Sequence, residues 1–197
     1  MDEPEDGCRR AADHRRRLLA GLAGQVIEVG AGTGLNFAYY PAQVTSVLAV
    51  EPEPHLREIA MRSAARAPVH VDVVDGVAER LPASDASTDA VVLALMLCSV
   101  ADQRLALREV RRVLRPGGEV RFFEHVRAET EGLARLQRAL DATVWPMVGG
   151  GCHTSRDTAT ALKDAGFTIE QIDRFRCPDI RLSLPTSPHI LGVARRT

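Results

Sequence analysis

Lysine is nearly missing from this chain of 197 residues: Lys163 is the only one, and arginine supplies the other strong cations. A GC-rich genome explains that bias better than chemistry does. Aromatic residues make up 4% of the chain, too few for a base-stacking platform, which counts against RNA as a partner. The net charge is −1, so no global field draws in nucleic acid or an anionic membrane. The four cysteines, Cys8, Cys98, Cys152 and Cys177, form no CxxC pair, and no secretory hydrophobic region opens the chain. Reduced thiols and a cytoplasmic location are expected. The longest apolar run, Ala90 to Val100, is about half of what a bilayer span needs, so no stable membrane insertion is expected. No repeat, low-complexity stretch or linker divides the chain. One domain over 25–197 is expected, preceded by an N-terminal helix over 1–24 that acts as a lid. Nothing in the pattern fixes an oligomeric state.

What is present is an alternation of short apolar runs and helical stripes. Residues 1–7 are acidic and expected to fray. Arg9 to Leu22 is predicted as a helix with Ala11, Leu18, Leu19 and Leu22 on one stripe. Strands are expected at Gln25–Val29, Ser46–Glu51, Val69–Val74, Ala90–Leu95 and Glu119–Glu124. Between them lie helices at Leu35–Tyr40, Pro54–Ala64 and Gln103–Leu114, the last ended by the turn "RPGG". This order predicts an α/β fold, a Rossmann-like parallel sheet with helices on both faces. The last third differs. Gly132–Trp145 is predicted helical. Thr154 and Asp157 have capping-box spacing at the start of a helix that runs to Ala165 and is closed by Gly166. Strands at Thr168–Arg174 and His189–Ala194 have no helix between them, so this C-terminal pair is expected to be antiparallel.

The stretch "VIEVGAGTGLNF" carries the first functional signal. Gly30, Gly32 and Gly34 follow Glu28 where a strand turns into a helix, so a ligand can approach bare backbone. Glu51 ends the second strand, where a carboxylate can accept both hydroxyl protons of a ribose. A dinucleotide fingerprint requires a small third residue where this chain has Leu35. Glu28 at the mouth would repel a pyrophosphate but tolerate an ammonium and a sulfonium.

The spacing E-x-G-x-G-x-G resembles motif I of class I S-adenosylmethionine (SAM) methyltransferases. "GVAERLP" (Gly76–Pro82) resembles the adenine loop of that family. "STDAVV" (Ser87–Val92) and "LREVRRVLRPGGEVRFFEHV" (Leu107–Val126) resemble its fourth strand and its fourth helix with fifth strand. The sheet is therefore expected to have seven strands. The resemblance implies SAM as cofactor, held by Glu28, Gly30, Ala31, Gly32, Gly34, Asn36, Glu51, Pro52, Gly76, Val77, Ala78 and Leu93. Many relatives have Asp where this chain has Val77. Asp75 or backbone amides would then meet the adenine amino group.

"LNFAYYP" (Leu35–Pro41), "LMLCSV" (Leu95–Val100), and "GCHTSRDTATALKDAGF" with "PHILGVA" narrow the resemblance. They look like the methyltransferase-like group that includes animal alkyl thiol S-methyltransferases. That implies methyl transfer to a small apolar acceptor, a thiol first. An O- or N-methyl transfer to a small natural product or lipid headgroup is the near alternative. An NAD-dependent oxidoreductase and a silent SAM-binding regulator are the rivals from other classes.

His125, at the carboxyl edge of the sheet, is the candidate base. Tyr39, Tyr40, Met96, Cys98, Ser99, Cys152 and His153 are the candidate substrate contacts. For Cys98 the competing reading is a small buried side chain, and for His125 a structural histidine bonded to a carbonyl. No metal is expected, because Cys152 and His153 are adjacent, which makes poor zinc geometry. Arg156 is expected in a structural ion pair. The basic run Arg9, Arg10, Arg15, Arg16 and Arg17 is expected on the outer face of the lid helix.

Overall fold

The computed structural model describes residues 4–143, 145–177 and 184–197, with no account of the side chains of 4–10. Cys8, Arg9 and Arg10 therefore lie outside the described side chains. Seven strands form one sheet: β1 (Gly24–Val29), β2 (Val44–Val50), β3 (Val71–Val74), β4 (Thr88–Ala94), β5 (Leu114–His125), β6 (Phe167–Arg176) and β7 (Pro188–Arg196). Their order is β3-β2-β1-β4-β5-β7-β6. The first five pair in parallel, while β7 runs antiparallel to both β5 and β6. The order reverses between β1 and β4, and ligands of such sheets sit outside the carboxyl ends of strands at that reversal.

The helices are α1 (Pro4–Leu19), α2 (Pro54–Ala64), α3 (Gln103–Val113), α4 (Glu131–Asp141), α5 (Trp145–Val148) and α6 (Thr158–Asp164). Local chemistry explains their starts. Glu53 accepts the Leu56 amide and Pro54 takes the first turn of α2, where no donor is needed. Asp102 accepts the amides of Arg104 and Leu105 at the head of α3, whose Ala106, Leu107, Val110 and Val113 are buried in one stripe. The two faces of the sheet carry two cores. Ile27, Val29, Val91, Leu93 and Phe122 pack with α3 and α6 on one face. Val26, Ala49, Val92 and Phe123 pack on the other with Leu18, Leu19 and Leu22. Each of those three leucines is at most 1% exposed, and burying one contributes about 1.5–3 kcal/mol.

Four local expectations differ from the structure. Leu35–Tyr40 is not a helix; only Phe37–Tyr39 forms a 3₁₀ turn, hemmed in by Gly34 and Pro41. The segment Gly132–Trp145 divides into α4 and α5. Thr154 does not open α6: its amide and hydroxyl both go to Asp141, and Asp157 itself caps the helix by accepting the Thr160 amide. Ala11 is exposed, so the inward stripe of the first helix begins at His14, whose ring stacks on Phe175 at 4.4 Å, and continues at Leu18. The turn "RPGG" falls within the bounds of β5, but sheet pairing skips it: Thr88 faces Leu114 while Ala90 already faces Glu119.

Candidate active site

At the carboxyl ends of β1 and β4 lies a cavity of about 620 Å³. Nine of the expected residues line it: Gly30, Gly32, Glu51, Pro52, Gly76, Val77, Ala78, Met96 and Ser99. The glycine turn is tied to the next strand, since the amides of Gly30 and Ala31 both donate to the Val50 carbonyl. Gly32 has φ +56°, and a Cβ added there would meet nothing within 4 Å, so the bare backbone faces open space. A Cβ on Gly30 would come within 2.9 Å of Met96, and one on Gly76 within 2.9 Å of Val50. Glu51 is 5% exposed; its Oε2 accepts the Gly32 amide at 2.7 Å and its Oε1 the Glu53 amide at 3.0 Å. A carboxylate has about four lone-pair sites, so acceptors remain for a diol. Leu56, Glu79, Leu95 and Gly150 also line the cavity, and sequence reasoning missed them. Leu56 was within reach, being an apolar residue in the first turn of the helix that follows Glu51.

Glu28 does not stand at the mouth. It is 2% exposed, on the opposite sheet face from Val29, and both oxygens are occupied. Asn36 Nδ2 donates to Oε1 at 2.8 Å and the Tyr40 hydroxyl to Oε2 at 2.7 Å. Arg15 of α1 donates to Asn36 Oδ1 at 2.6 Å, linking the first helix to the glycine turn. Burial lifts the Glu28 carboxyl to about 7, against the pull of Tyr40, Asn36 and Arg15. Burial, then the charge of Glu28, pushes the Tyr40 phenol up as well. Tyr40 is thus a buried support for Glu28, not a wall of the cavity. Tyr39 is half-buried under the Arg16 guanidinium, 5.4 Å from its ring centre. Gly34 and Ala31 lie behind the turn, and Leu93 is fully buried in the core below it. Asp75 is engaged by Arg57 at 2.9 Å and does not line the cavity.

The acidity expected of Glu28 is supplied elsewhere. Among the described residues lining the cavity are Glu51, Glu53 and Glu79, and none is lysine, arginine or histidine. Such a lining rejects a pyrophosphate and suits a cation-bearing adenosine ligand.

Beyond Met96 the wall is built on β5. Leu95 takes φ +57°, unusual for a branched side chain, and its amide donates to the Phe123 carbonyl. Glu124, fully buried, then accepts three consecutive amides: Met96 and Leu97 on Oε1 at 3.1 and 3.0 Å, Cys98 on Oε2 at 3.3 Å. Burial raises its carboxyl to about 7, against the pull of those amides. Arg156 forms no ion pair among the described residues; it donates to the carbonyls of Leu97 and Val100, fixing the same loop from the other side. The His153 amide donates to the Cys98 carbonyl at 2.7 Å, and its ring Nδ1 meets the Gly151 carbonyl at 2.9 Å.

These bonds gather three expected residues. His125 Nδ1 is 3.8 Å from Cys98 Sγ and 3.7 Å from Cys152 Sγ. Cys98 and Cys152 are 1% and 6% exposed, and His125 is half-buried. The neighbouring Cys152 thiol, then burial, pushes the Cys98 thiol up, whereas Cys98 and His125 pull the Cys152 thiol down against its burial. The His125 ring packs 4.3 Å from His189, which burial holds neutral by lowering it to about 4.

The sheet order, the glycine turn and the acid-lined cavity define a class I SAM-dependent methyltransferase. A family model described as "Methyltransferase domain" matches residues 27–122. Thiol S-methyltransferase TMT1B of Homo sapiens is 37% identical over 182 residues, covering 89% of this chain and 73% of that protein. TMT1B of Mus musculus is 40% identical over 181 residues, with the same coverage. A putative methyltransferase from Bacillus halodurans superposes with a TM-score of 0.73 over 98% of this chain and all of that one, at 17% identity, which shows the fold. The chain belongs to the SAM-dependent methyltransferase family that includes these thiol S-methyltransferases, and its methyl donor is SAM. Among the described residues no helix is long and apolar enough to cross a membrane.

Proposed function

We propose that this enzyme transfers the SAM methyl group to the sulfur of a small apolar thiol. The observation that carries the reading is the apolar acceptor end of the cavity, walled by Leu95, Met96, Val100 and Ala101 and backed by the cysteine–histidine cluster. The relatives that bear the name thiol S-methyltransferase support it. SAM, when bound, supplies an electrophilic methyl on a sulfonium. Glu51 is assigned to the ribose hydroxyls, the backbone of Gly30 to Gly34 to the amino-acid end, and Leu56, Val77 and Ala78 to the adenine. Glu28, Asn36 and Ala31 act by shaping the turn. Helix α1, held by Arg15 on Asn36, is assigned as the cover of that turn.

Thiolate attack on a sulfonium destroys two opposite charges, which dry apolar walls favour. No oxyanion stabiliser is needed, and in-line positioning provides much of the rate. A thiol with an ordinary pKa near 8.5 is a few per cent ionised at neutral pH, so a modest base suffices. His125 is assigned that role, with Met96 and Ser99 facing the acceptor and Cys98, Cys152 and His153 forming the layer behind.

The test measures S-adenosylhomocysteine from a panel of alkyl thiols, phenols and amines. Product from thiols alone is expected, and His125→Asn is expected to lower turnover with SAM affinity nearly unchanged. Product from phenols or amines but not thiols would reassign the acceptor.

A further inference from the structure

We propose that Cys98, His125 and Cys152 together hold one zinc ion. The three donor atoms come from separate parts of the fold: the loop after β4, the end of β5, and the loop between α5 and α6. They lie within 4.8 Å of one another. Tetrahedral zinc, with Zn–S about 2.3 Å and Zn–N about 2.0–2.1 Å, sets sulfur–sulfur edges of about 3.8 Å and sulfur–nitrogen edges of about 3.5 Å. The observed sulfur–nitrogen edges are 3.8 and 3.7 Å, within a few tenths of an ångström of those values, and the sulfur–sulfur edge is within 4.8 Å, so closing it asks for at most about 1 Å of movement.

Cys152 and His153 are adjacent, which makes poor zinc geometry, and no paired ligand motif exists in the sequence. In the folded chain the imidazole of the cluster is His125, and the His153 ring is engaged by the Gly151 carbonyl instead.

The donor set selects the ion. Two thiolates and one imidazole suit a borderline-soft d¹⁰ cation and offer magnesium or calcium no oxygen ligand. Two thiolates also neutralise a dication, and the nearby Arg156 guanidinium is engaged by the Leu97 and Val100 carbonyls. The scaffold is fixed before any ion arrives. Glu124 holds the Met96, Leu97 and Cys98 amides, and the His153 amide ties the Cys152 loop to the Cys98 carbonyl.

Three protein donors leave a fourth corner open, the pattern of catalytic rather than structural zinc. Cys98 Sγ is 3.6 Å from Ser99 Oγ, and Ser99 lines the cofactor cavity, so the cluster borders the space assigned to the acceptor. In one respect this inference rests on the thiol reading above. A thiol that coordinates at the open corner exchanges its S–H bond for an S–Zn bond and releases the proton to solvent. In the metal-loaded protein coordination takes over deprotonation, because Nδ1 is committed to the metal; in the metal-free protein His125 keeps the base role assigned above.

The experiment titrates Co²⁺ into reduced, chelator-treated protein with neither SAM nor acceptor present, followed by Zn²⁺. One equivalent of Co²⁺ is expected to bind with thiolate charge-transfer and tetrahedral ligand-field bands, and one equivalent of Zn²⁺ to displace it. Cys98→Ser, Cys152→Ser and His125→Asn are each expected to weaken binding about 100-fold or more, since even outer-shell losses cost 10–100-fold. Cys177→Ser is expected to leave it unchanged. Absence of the bands in the wild-type protein, which needs no variant to fold, would overturn the proposal. So would binding that survives all three ligand substitutions. Thiol methylation by a protein that binds no metal would sink the zinc site and leave the thiol reading intact.

Discussion

The Tyr40 hydroxyl donates to Glu28 Oε2 at 2.7 Å beneath the glycine turn, in a pocket closed to water. The carboxylate that the sequence offers as a ligand contact is therefore a buried strut. Its partners, Asn36, Tyr40 and, through Asn36, Arg15, join the first helix to the cofactor loop.

That burial makes stability depend on pH. The Glu28 carboxyl moves from 4.5 to about 7 on folding, so the folded state holds its proton where the unfolded state has lost it. The stability it contributes is complete below about 4.5 and is lost as pH rises through about 7. Glu28→Gln removes the titrating group while an amide can still satisfy both partners. Between about pH 4.5 and about pH 8 the wild type is expected to lose up to about 3 kcal/mol more than the variant in urea unfolding. Parallel pH profiles would refute the assignment.

Glu51 is expected to govern cofactor affinity. Glu51→Gln sets an amide donor against the Gly32 or Glu53 amide and removes an acceptor from the ribose. Hydrogen bonds to charged groups contribute about 1.5–3 kcal/mol, so calorimetry should show SAM binding weakened roughly 10–100-fold. An unchanged affinity would remove Glu51 from the cradle.

Gly32 and Gly34 separate binding from folding. Both have positive φ, but a Cβ at Gly32 meets nothing, whereas one at Gly34 falls 2.5 Å from the Phe37 ring and 3.0 Å from Ser63. Gly32→Ala should cost about 1–2 kcal/mol of stability from backbone strain and abolish measurable SAM binding. Gly34→Ala adds overpacking of about 1–3 kcal/mol to that strain and should melt at a clearly lower temperature. Equal melting shifts would contradict the placement.

Glu124 holds the loop that follows β4. Glu124→Ala leaves the buried amides of Met96, Leu97 and Cys98 without an acceptor, at about 1–3 kcal/mol each. Denaturant unfolding should show a loss of roughly 3 kcal/mol or more, with Glu124→Gln intermediate. A loss below about 1 kcal/mol would mean water replaces the carboxylate.

What was legible in the sequence was local. Helix Pro54–Ala64 follows from Pro54 in its first turn and matches to the residue. The antiparallel C-terminal pair follows from the missing helix between its strands. The shared cavity lining of Gly30, Gly32 and Glu51 is legible because strand, glycine turn and acid lie within one short segment of chain. The direction of Glu28 was not, since a strand buried on both faces gives no signal as to which face meets the ligand. The triple capping by Glu124 joins positions 26 to 28 residues apart. The cysteine–histidine cluster joins positions 27 residues apart on each side of His125. Only the pairing of β4 with β5 and the packing of the segment after α4 bring those residues together. Tyr40 was misplaced for the same reason: its partner is on another element.

The central claim is methyl transfer from SAM to a thiol sulfur, and one competition measures it directly. SAM carrying an isotopically labelled methyl group is given to the enzyme with an equimolar mixture of a small alkyl thiol, a phenol and a primary amine. The account predicts labelled methyl thioether as the product that accumulates with enzyme and time. Label appearing in the ether or the methylamine, with the thiol unmodified, would contradict it.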